Sequence, residues 1–290
     1  MFADLPPAVL WPLTFVLGLA LGSFANVVIA RLPAMMLLQW RIDAREELGL
    51  PDEPTNTEPT RINLVTPRSH CPQCATTIAW HDNIPLLGYI KRRGRCVHCR
   101  QSISVHYPLV ELAGGTLTLA VVAIHGANLA SLALIGFCLT LLALAVIDLR
   151  THLLPDLLTL PLLWAGLLYQ LLFQPAFLQS AVIGAMAGYT VLWAFYWLFR
   201  LITGKEGMGY GDFKLLAALG AWAGWQMLPL LLVLSTTVGA IVGIVVQLLI
   251  PRLRGAPMPF GPYLSMAGWI AVLFGVPLMA MYQGFLLNNH

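Results

Sequence analysis

The placement of charge constrains this 290-residue chain more tightly than any other feature. No charged side chain occurs between Asp4 and Arg31. Past Glu111 the chain runs to its last residue with only ten: Asp148, Arg150, Asp156, Arg200, Lys205, Glu206, Asp212, Lys214, Arg252 and Arg254. These gather in three clusters, and the stretches between them are apolar. A segment of about 20 apolar residues crosses a bilayer. Charged residues make up 10% of the chain, against roughly 25% in a soluble domain, and 58% of residues are apolar. A soluble domain and a disordered chain are both excluded. The sequence predicts an all-α polytopic membrane protein. Its net charge of +3 gives no reason to expect a nucleic-acid partner.

Helix breakers divide the apolar stretches. His125-Gly126-Ala127-Asn128 splits the uncharged run from Leu112 to Ile147, and Gln174-Pro175 and the segment from Gly224 to Pro229 split later ones. Eight transmembrane helices are predicted, at about 8–30, 108–125, 129–149, 157–173, 177–200, 212–228, 230–250 and 261–286. The first lacks the basic n-region of a signal peptide and is read as retained. With eight spans, all 16 Lys and Arg residues fall on one side, which the positive-inside rule makes cytoplasmic. The predicted organisation is a first transmembrane helix (1–30), a cytoplasmic loop with a tetracysteine subdomain (31–107) and a seven-helix membrane domain (108–290). Within the loop, Arg45 to Leu48 is read as the end of a short surface helix, and 51–59 as a flexible linker.

Four of the five cysteines lie in that loop. Cys71 and Cys74 form one C-x2-C pair, Cys96 and Cys99 another, with 21 residues between them. Two thiolates from one tight turn reach a single tetrahedral metal, so two such turns supply four ligands. Each half reads C-x-x-C-x-x-x-I, ending at Ile78 and Ile103. The loop is expected to form a small zinc-ribbon-like subdomain with a structural zinc, since four protein ligands leave no open position for water. An iron–sulfur centre and a metal-free loop are the alternatives; a reducing cytoplasm disfavours disulfides. His70 and His98 are adjacent but not expected ligands. Cys138, alone in an apolar helix, is read as packing.

Two aspartates carry the chemistry. Asp148 is predicted at the cytoplasmic end of the third helix, and Asp212, in Gly209-Tyr210-Gly211-Asp212, at the start of the sixth. A short carboxylate snorkels poorly, so such a pair at matching depth suggests function. Two nearby carboxylates share a proton, which suits aspartyl proteolysis: one activates a water, the other polarises the peptide carbonyl. Gly209 and Gly211 allow a close-approaching backbone. Asp156 is expected chiefly to cap the fourth helix, with support of catalysis as the alternative. Glu206 and Lys214 complete the candidate supporting set. Intramembrane acids also suit an ion or solute transporter, the rival reading, but Asp148 and Asp212 are placed at helix ends rather than at the midplane.

The chain resembles the type IV prepilin peptidases, bifunctional leader peptidases and N-methyltransferases of the GxGD aspartyl class. The resemblance runs through Gly22-Ser23-Phe24-Ala25-Asn26, Arg31-Leu32-Pro33, the four cysteines, Tyr107-Pro108 to Glu111, Leu154-Pro155-Asp156, Glu206 to Lys214 and Pro259-Phe260-Gly261-Pro262. It implies that Asp148 and Asp212 are the catalytic pair. It implies a prepilin or pseudopilin substrate, cut at the cytoplasmic face of the bacterial inner membrane after the glycine that ends a basic leader. The new N-terminus would then be methylated with S-adenosylmethionine. A glycine before the third cysteine is linked in the family to methylation, and Gly94 matches it. Glu111 is read equally as a holder of the amine or sulfonium and as a helix N-terminal acid. The small and polar residues from Gly22 to Asn26 are read chiefly as helix packing.

Overall fold

The structure, a computed structural model, describes residues 6–50, 62–205, 207–250 and 258–288. Among the described residues it is helical without a strand. The long helices are α1 (Pro7–Glu47), α3 (His106–His125), α4 (Leu129–Thr151), α5 (Asp156–Phe173), α6 (Leu178–Thr203), α7 (Tyr210–Ala223), α8 (Leu228–Leu249) and α9 (Gly261–Asn288); α2 (Leu87–Lys91) is a single turn. Among the described residues six helical segments are long and apolar enough to cross a membrane: α1, α3, α4, α5, the stretch Pro175–Thr203 that contains α6, and the stretch Trp225–Leu249 that contains α8. The chain divides into two compact units, Met1–Ala123 and Ile124–His290.

In the first unit α1 runs without a break for 41 residues, about 60 Å at 1.5 Å per residue. The separate surface helix expected before Leu48 is the far end of α1. Pro33 and Arg31 do not stop it: its length is twice what a bilayer needs, so the charged end projects beyond the hydrocarbon. The expected linker at 51–59 lies outside the described residues. α1 packs against α3 through small residues. A Cβ added to Gly22 would lie 2.9 Å from the Val110 carbonyl and the Glu111 Cα, and one on Gly114 would lie 2.8 Å from Gly22. Asn26, buried, donates its side-chain amide to the Tyr107 carbonyl at 3.0 Å.

In the second unit α7 packs against α5, α6 and α9. Its residues from Leu215 to Trp222 are all buried. The expected span of 212–228 is not one helix: α7 has 14 residues, about 21 Å, and ends where Gly224 takes a φ of 79°. A short helix is tolerated because protein, not lipid, surrounds it. The α6–α7 crossing depends on Gly184 and Gly220, where a Cβ on either would strike the carbonyl of the other. The indole of Trp222 donates to the Leu162 carbonyl at 2.9 Å, and Gln170 donates to the Trp222 carbonyl at 2.8 Å, tying α5 to α7. Cys138 is fully buried, as expected for packing.

Candidate active site and metal centre

Asp148 and Asp212 are both buried, 5% and 7% exposed. They lie close enough for the charge of one to act on the other. Each is met by the start of a helix. Asp212 occupies the first turn of α7. Asp148 lies near the end of α4, and its Oδ2 accepts the backbone N–H of Gly261, the first residue of α9, at 2.9 Å. Helix starts present unpaired N–H groups, which favour a carboxylate. Oδ1 of Asp212 is buried and has no hydrogen-bond partner. An unpaired buried carboxylate oxygen is costly.

The glycines here are spatial requirements. A Cβ on Gly261 would lie 2.6 Å from Asp148 Oδ2. On Gly211 it would lie 2.7 Å from the Leu154 Cβ, and Leu154 also approaches Gly261. Leu154 therefore wedges between the two helix starts. It follows the left-handed turn at His152 that ends α4. The aromatic side chains of Tyr210 and Phe213 pack on Tyr196 of α6, with ring centroids 5.4 and 5.7 Å away, and anchor the start of α7.

Asp156 does not cap α5. It is the first helical residue, Pro155 holds the cap position, and no side-chain cap bond forms there. Its two oxygens instead accept Lys214 Nζ at 2.7 Å each, clamping α5 to α7 two residues beyond Asp212. Glu206 lies outside the described residues. The sequence named Asp156 and Lys214 but not their pairing, nor the Gly261 amide, because the partners are distant in the chain; the Pro259-Phe260-Gly261-Pro262 run at the start of α9 was a signal.

In the first unit Cys71, Cys74, Cys96 and Cys99 bring their Sγ atoms within 4.8 Å of one another. The Cys71–Cys99 and Cys74–Cys96 separations are both 3.8 Å. A tetrahedral zinc with bonds of about 2.3 Å requires edges of about 3.8 Å, so the four thiols fit one tetrahedral ion. The internal repeat is also a structural one. Cys71 N–H bonds the Thr76 carbonyl as Cys96 N–H bonds that of Gln101, and Ala75 and Arg100 both turn with positive φ. Ile78 and Ile103 close the two knuckles through the carbonyls of Ser69 and Gly94. Hydrogen bonding with the Thr76 side chain and backbone draws the Cys74 thiol down to about 6, whereas Cys99, against the pull of the Gln101 backbone, is pushed up to about 11 by burial and the neighbouring thiols. His70 and His98 are not part of the cluster.

A cavity of about 900 Å³ opens beside the knuckles within this unit, its walls including Asn26, Tyr89 and Glu111. Glu111 is not a helix N-terminal acid: α3 begins at His106, and its first turn carries no acid. Its Oε2 accepts the Leu86 backbone N–H at 2.8 Å, where α2 starts.

The architecture is thus a multi-pass helical unit with two buried aspartates and an N-terminal unit with a tetrathiol cluster. Residues 16–125 match the bacterial peptidase A24 N-terminal domain, and 135–244 the type IV leader peptidase family. The chain is 50% identical over 279 residues to a prepilin leader peptidase/N-methyltransferase of Pseudomonas putida, covering 96% of each. It is 51% identical over 276 residues to one of Aeromonas hydrophila (95% of this chain, 94% of the relative). With one of Pseudomonas aeruginosa it shares 49% over 272 residues (94% and 93%). No solved structure matches it. The chain belongs to the type IV leader peptidase family. It is a multi-pass membrane enzyme, a peptidase with an N-methyltransferase activity. The transporter reading has no support among these relatives.

Proposed function

We propose that the protein removes the basic leader of type IV prepilins and pseudopilins with Asp148 and Asp212, and then methylates the exposed N-terminus. The observation that carries the first half is the pair of buried carboxylates, one anchored by the Gly261 amide and the other holding an unpartnered Oδ1. One carboxylate, ionised, takes a proton from a water whose oxygen attacks the scissile carbonyl carbon. The other, protonated, donates to the carbonyl oxygen. The tetrahedral adduct collapses, the C–N bond breaks, and the leaving amine takes its proton from the pair. No electrons are exchanged with any other group. Gly209, Gly211, Asp156 and Lys214 set the position of Asp212, and Glu206 completes the set.

Zinc on Cys71, Cys74, Cys96 and Cys99 holds the two knuckles together. It is structural, since four thiolates leave no position for substrate. S-adenosylmethionine is the methyl donor, with Glu111 and Gly94 in the methyltransferase machinery. The protein lies in the bacterial inner membrane with its active site toward the cytoplasm, as the one-sided distribution of Lys and Arg supports. The organisation 1–30, 31–107 and 108–290 separates membrane anchor, metal loop and peptidase core. The test is co-expression with a prepilin, followed by intact-mass measurement of the pilin. The expected product is shortened by its leader and heavier by one methyl group; an unprocessed pilin refutes the reading.

A further inference from the structure

We propose that the outer face of α2, with Trp80 beside it, is embedded in the bilayer, so that part of the metal-binding loop is a lipid-anchored surface whose basic neighbours, Lys91 and Arg93, meet anionic headgroups. The proposal stands apart from the peptidase and methyltransferase readings and concerns where the loop lies.

Depth is the first argument. α1 and α3 are both long and apolar enough to cross a membrane. They touch at Gly22, where an added Cβ would lie 2.9 Å from the Glu111 Cα. Gly22 lies nine residues before Arg31, the first charged residue of α1. That is about 13 Å along a helix axis. Glu111 therefore stands within the apolar span. Its Oε2 accepts the backbone N–H of Leu86, which caps α2, at 2.8 Å. The start of α2 is pinned at that depth rather than in the water beyond Arg31.

The two faces of α2 are the second argument. Gly88, Tyr89 and Arg92 line the cavity. Leu87 and Ile90, three positions apart and so on one side, do not; they are 63% and 67% exposed. Trp80, 76% exposed, belongs to the short 3-10 turn packed on α2, where a Cβ on Gly88 would strike the Asp82 carbonyl. On α3 the exposed Leu109 and Leu112 flank Glu111 and continue the apolar surface. Water is a poor solvent for such a patch, and at the depth of Glu111 lipid is its neighbour. Charge is the third argument. Asp82, the acid of the short turn, is paired with Lys91 and Arg92, which lowers the cost of holding it near lipid. Lys91 and Arg93 are exposed at the end of α2. Such long basic side chains reach phosphate while their stems stay in the apolar zone. Trp, Leu and Ile beside Lys and Arg is the composition of an interfacial anchor.

The test uses the full-length protein in nanodiscs of phosphatidylcholine and phosphatidylglycerol. Hydroxyl-radical footprinting of the unaltered chain compares Trp80 with Trp40, which is 48% exposed and lies nine residues past Arg31 on α1. Exposure in the protein alone ranks Trp80 as the more reactive. Lipid reverses that order, so the expected result is protection of Trp80 and oxidation of Trp40; faster oxidation of Trp80 overturns the proposal. A benzophenone amino acid in place of Ile90 is then irradiated. Lipid adducts are expected there as at Ile244, exposed on membrane-length α8, and are expected to be lost at Leu48, which caps the far end of α1. Arg93→Gln is expected to lower the ratio of phosphatidylglycerol to phosphatidylcholine adducts at Ile90 roughly fivefold, the effect of one basic side chain at an anionic surface. An unchanged ratio overturns the headgroup assignment. With a prepilin in the same discs, an Ile90 adduct to the pilin or to a second copy of this chain in place of lipid overturns the lipid assignment. Zinc content and monodisperse elution report whether each variant folds; the footprint, which needs no substitution, decides where one does not.

Discussion

The two units treat charge in opposite ways. In the first, Asp82 is gripped by Arg92, whose hydrogen bond holds its carboxyl down at about 2, and by Lys91. Arg31 is spent on two carbonyls, and four thiols gather as one ligand set. Charge there builds a fold in a loop too polar to have a large core. In the second unit Asp148 and Asp212 are buried, no ion pair to either is seen among the described residues, and Asp212 Oδ1 has no hydrogen bond. Burying such groups opposes folding. The surrounding packing of α7 against α5, α6 and α9 must outweigh that cost. The difference matches the proposed division: charge that is compensated builds the fold, and charge that is not is assigned to the proposed chemistry.

The comparison breaks most visibly at the aspartates. Asp148→Ala or Asp212→Ala is expected to lower leader cleavage by at least about 10²–10⁴-fold while the protein still inserts, because each removes a proton-transfer group. Full cleavage of a purified prepilin by either variant would refute the assignment. Gly261→Ala tests positioning without touching a carboxylate. Its Cβ would lie 2.6 Å from Asp148 Oδ2, and a displaced carboxylate is expected to cost about 10²-fold in cleavage rate.

In the first unit, replacing Cys71 and Cys74 by serine is expected to release about one zinc per chain, read by elemental analysis. It should reduce methylation more than Asp148→Ala does; an intact metal content would contradict the tetrathiolate site. Protons compete with zinc for the thiolates. The Cys74 pKa is lowered to about 6, so its ionised form is present above that value and is lost as the pH falls through it. Zinc is expected to stay bound at neutral pH and to leave on acidification as protons take the four thiolates, in a titration with a chromogenic chelator. The smallest effect belongs to Lys214→Ala. It removes a partly exposed ion pair with Asp156 and is expected to lower stability by about 0.2–1 kcal/mol, read as a small shift in thermal unfolding.

The sequence made the helices legible because apolar runs and breakers are local signals. It also disclosed the metal cluster, because each knuckle is written as a short repeat. Less legible were features set by distant partners. α1 passes Arg31 because that arginine finds the carbonyls of Asn63 and Pro67. α7 is short because other helices enclose it, which composition does not encode. The aspartate pair was visible as two residue types in a membrane background. Its anchor, Gly261, lies 113 positions from Asp148, and the Asp156–Lys214 clamp spans 58. Glu111 looked like a helix-start acid because the helix was expected to begin at 108 rather than His106.

The most direct measurement is the intact mass of a purified prepilin after incubation with the unaltered protein and with Asp212→Asn, which preserves the shape of the side chain but cannot ionise. The unaltered protein is expected to yield pilin shortened by its leader, and the variant to leave it at full length. A shortened pilin from Asp212→Asn would contradict the account of a carboxylate pair as the proteolytic machinery.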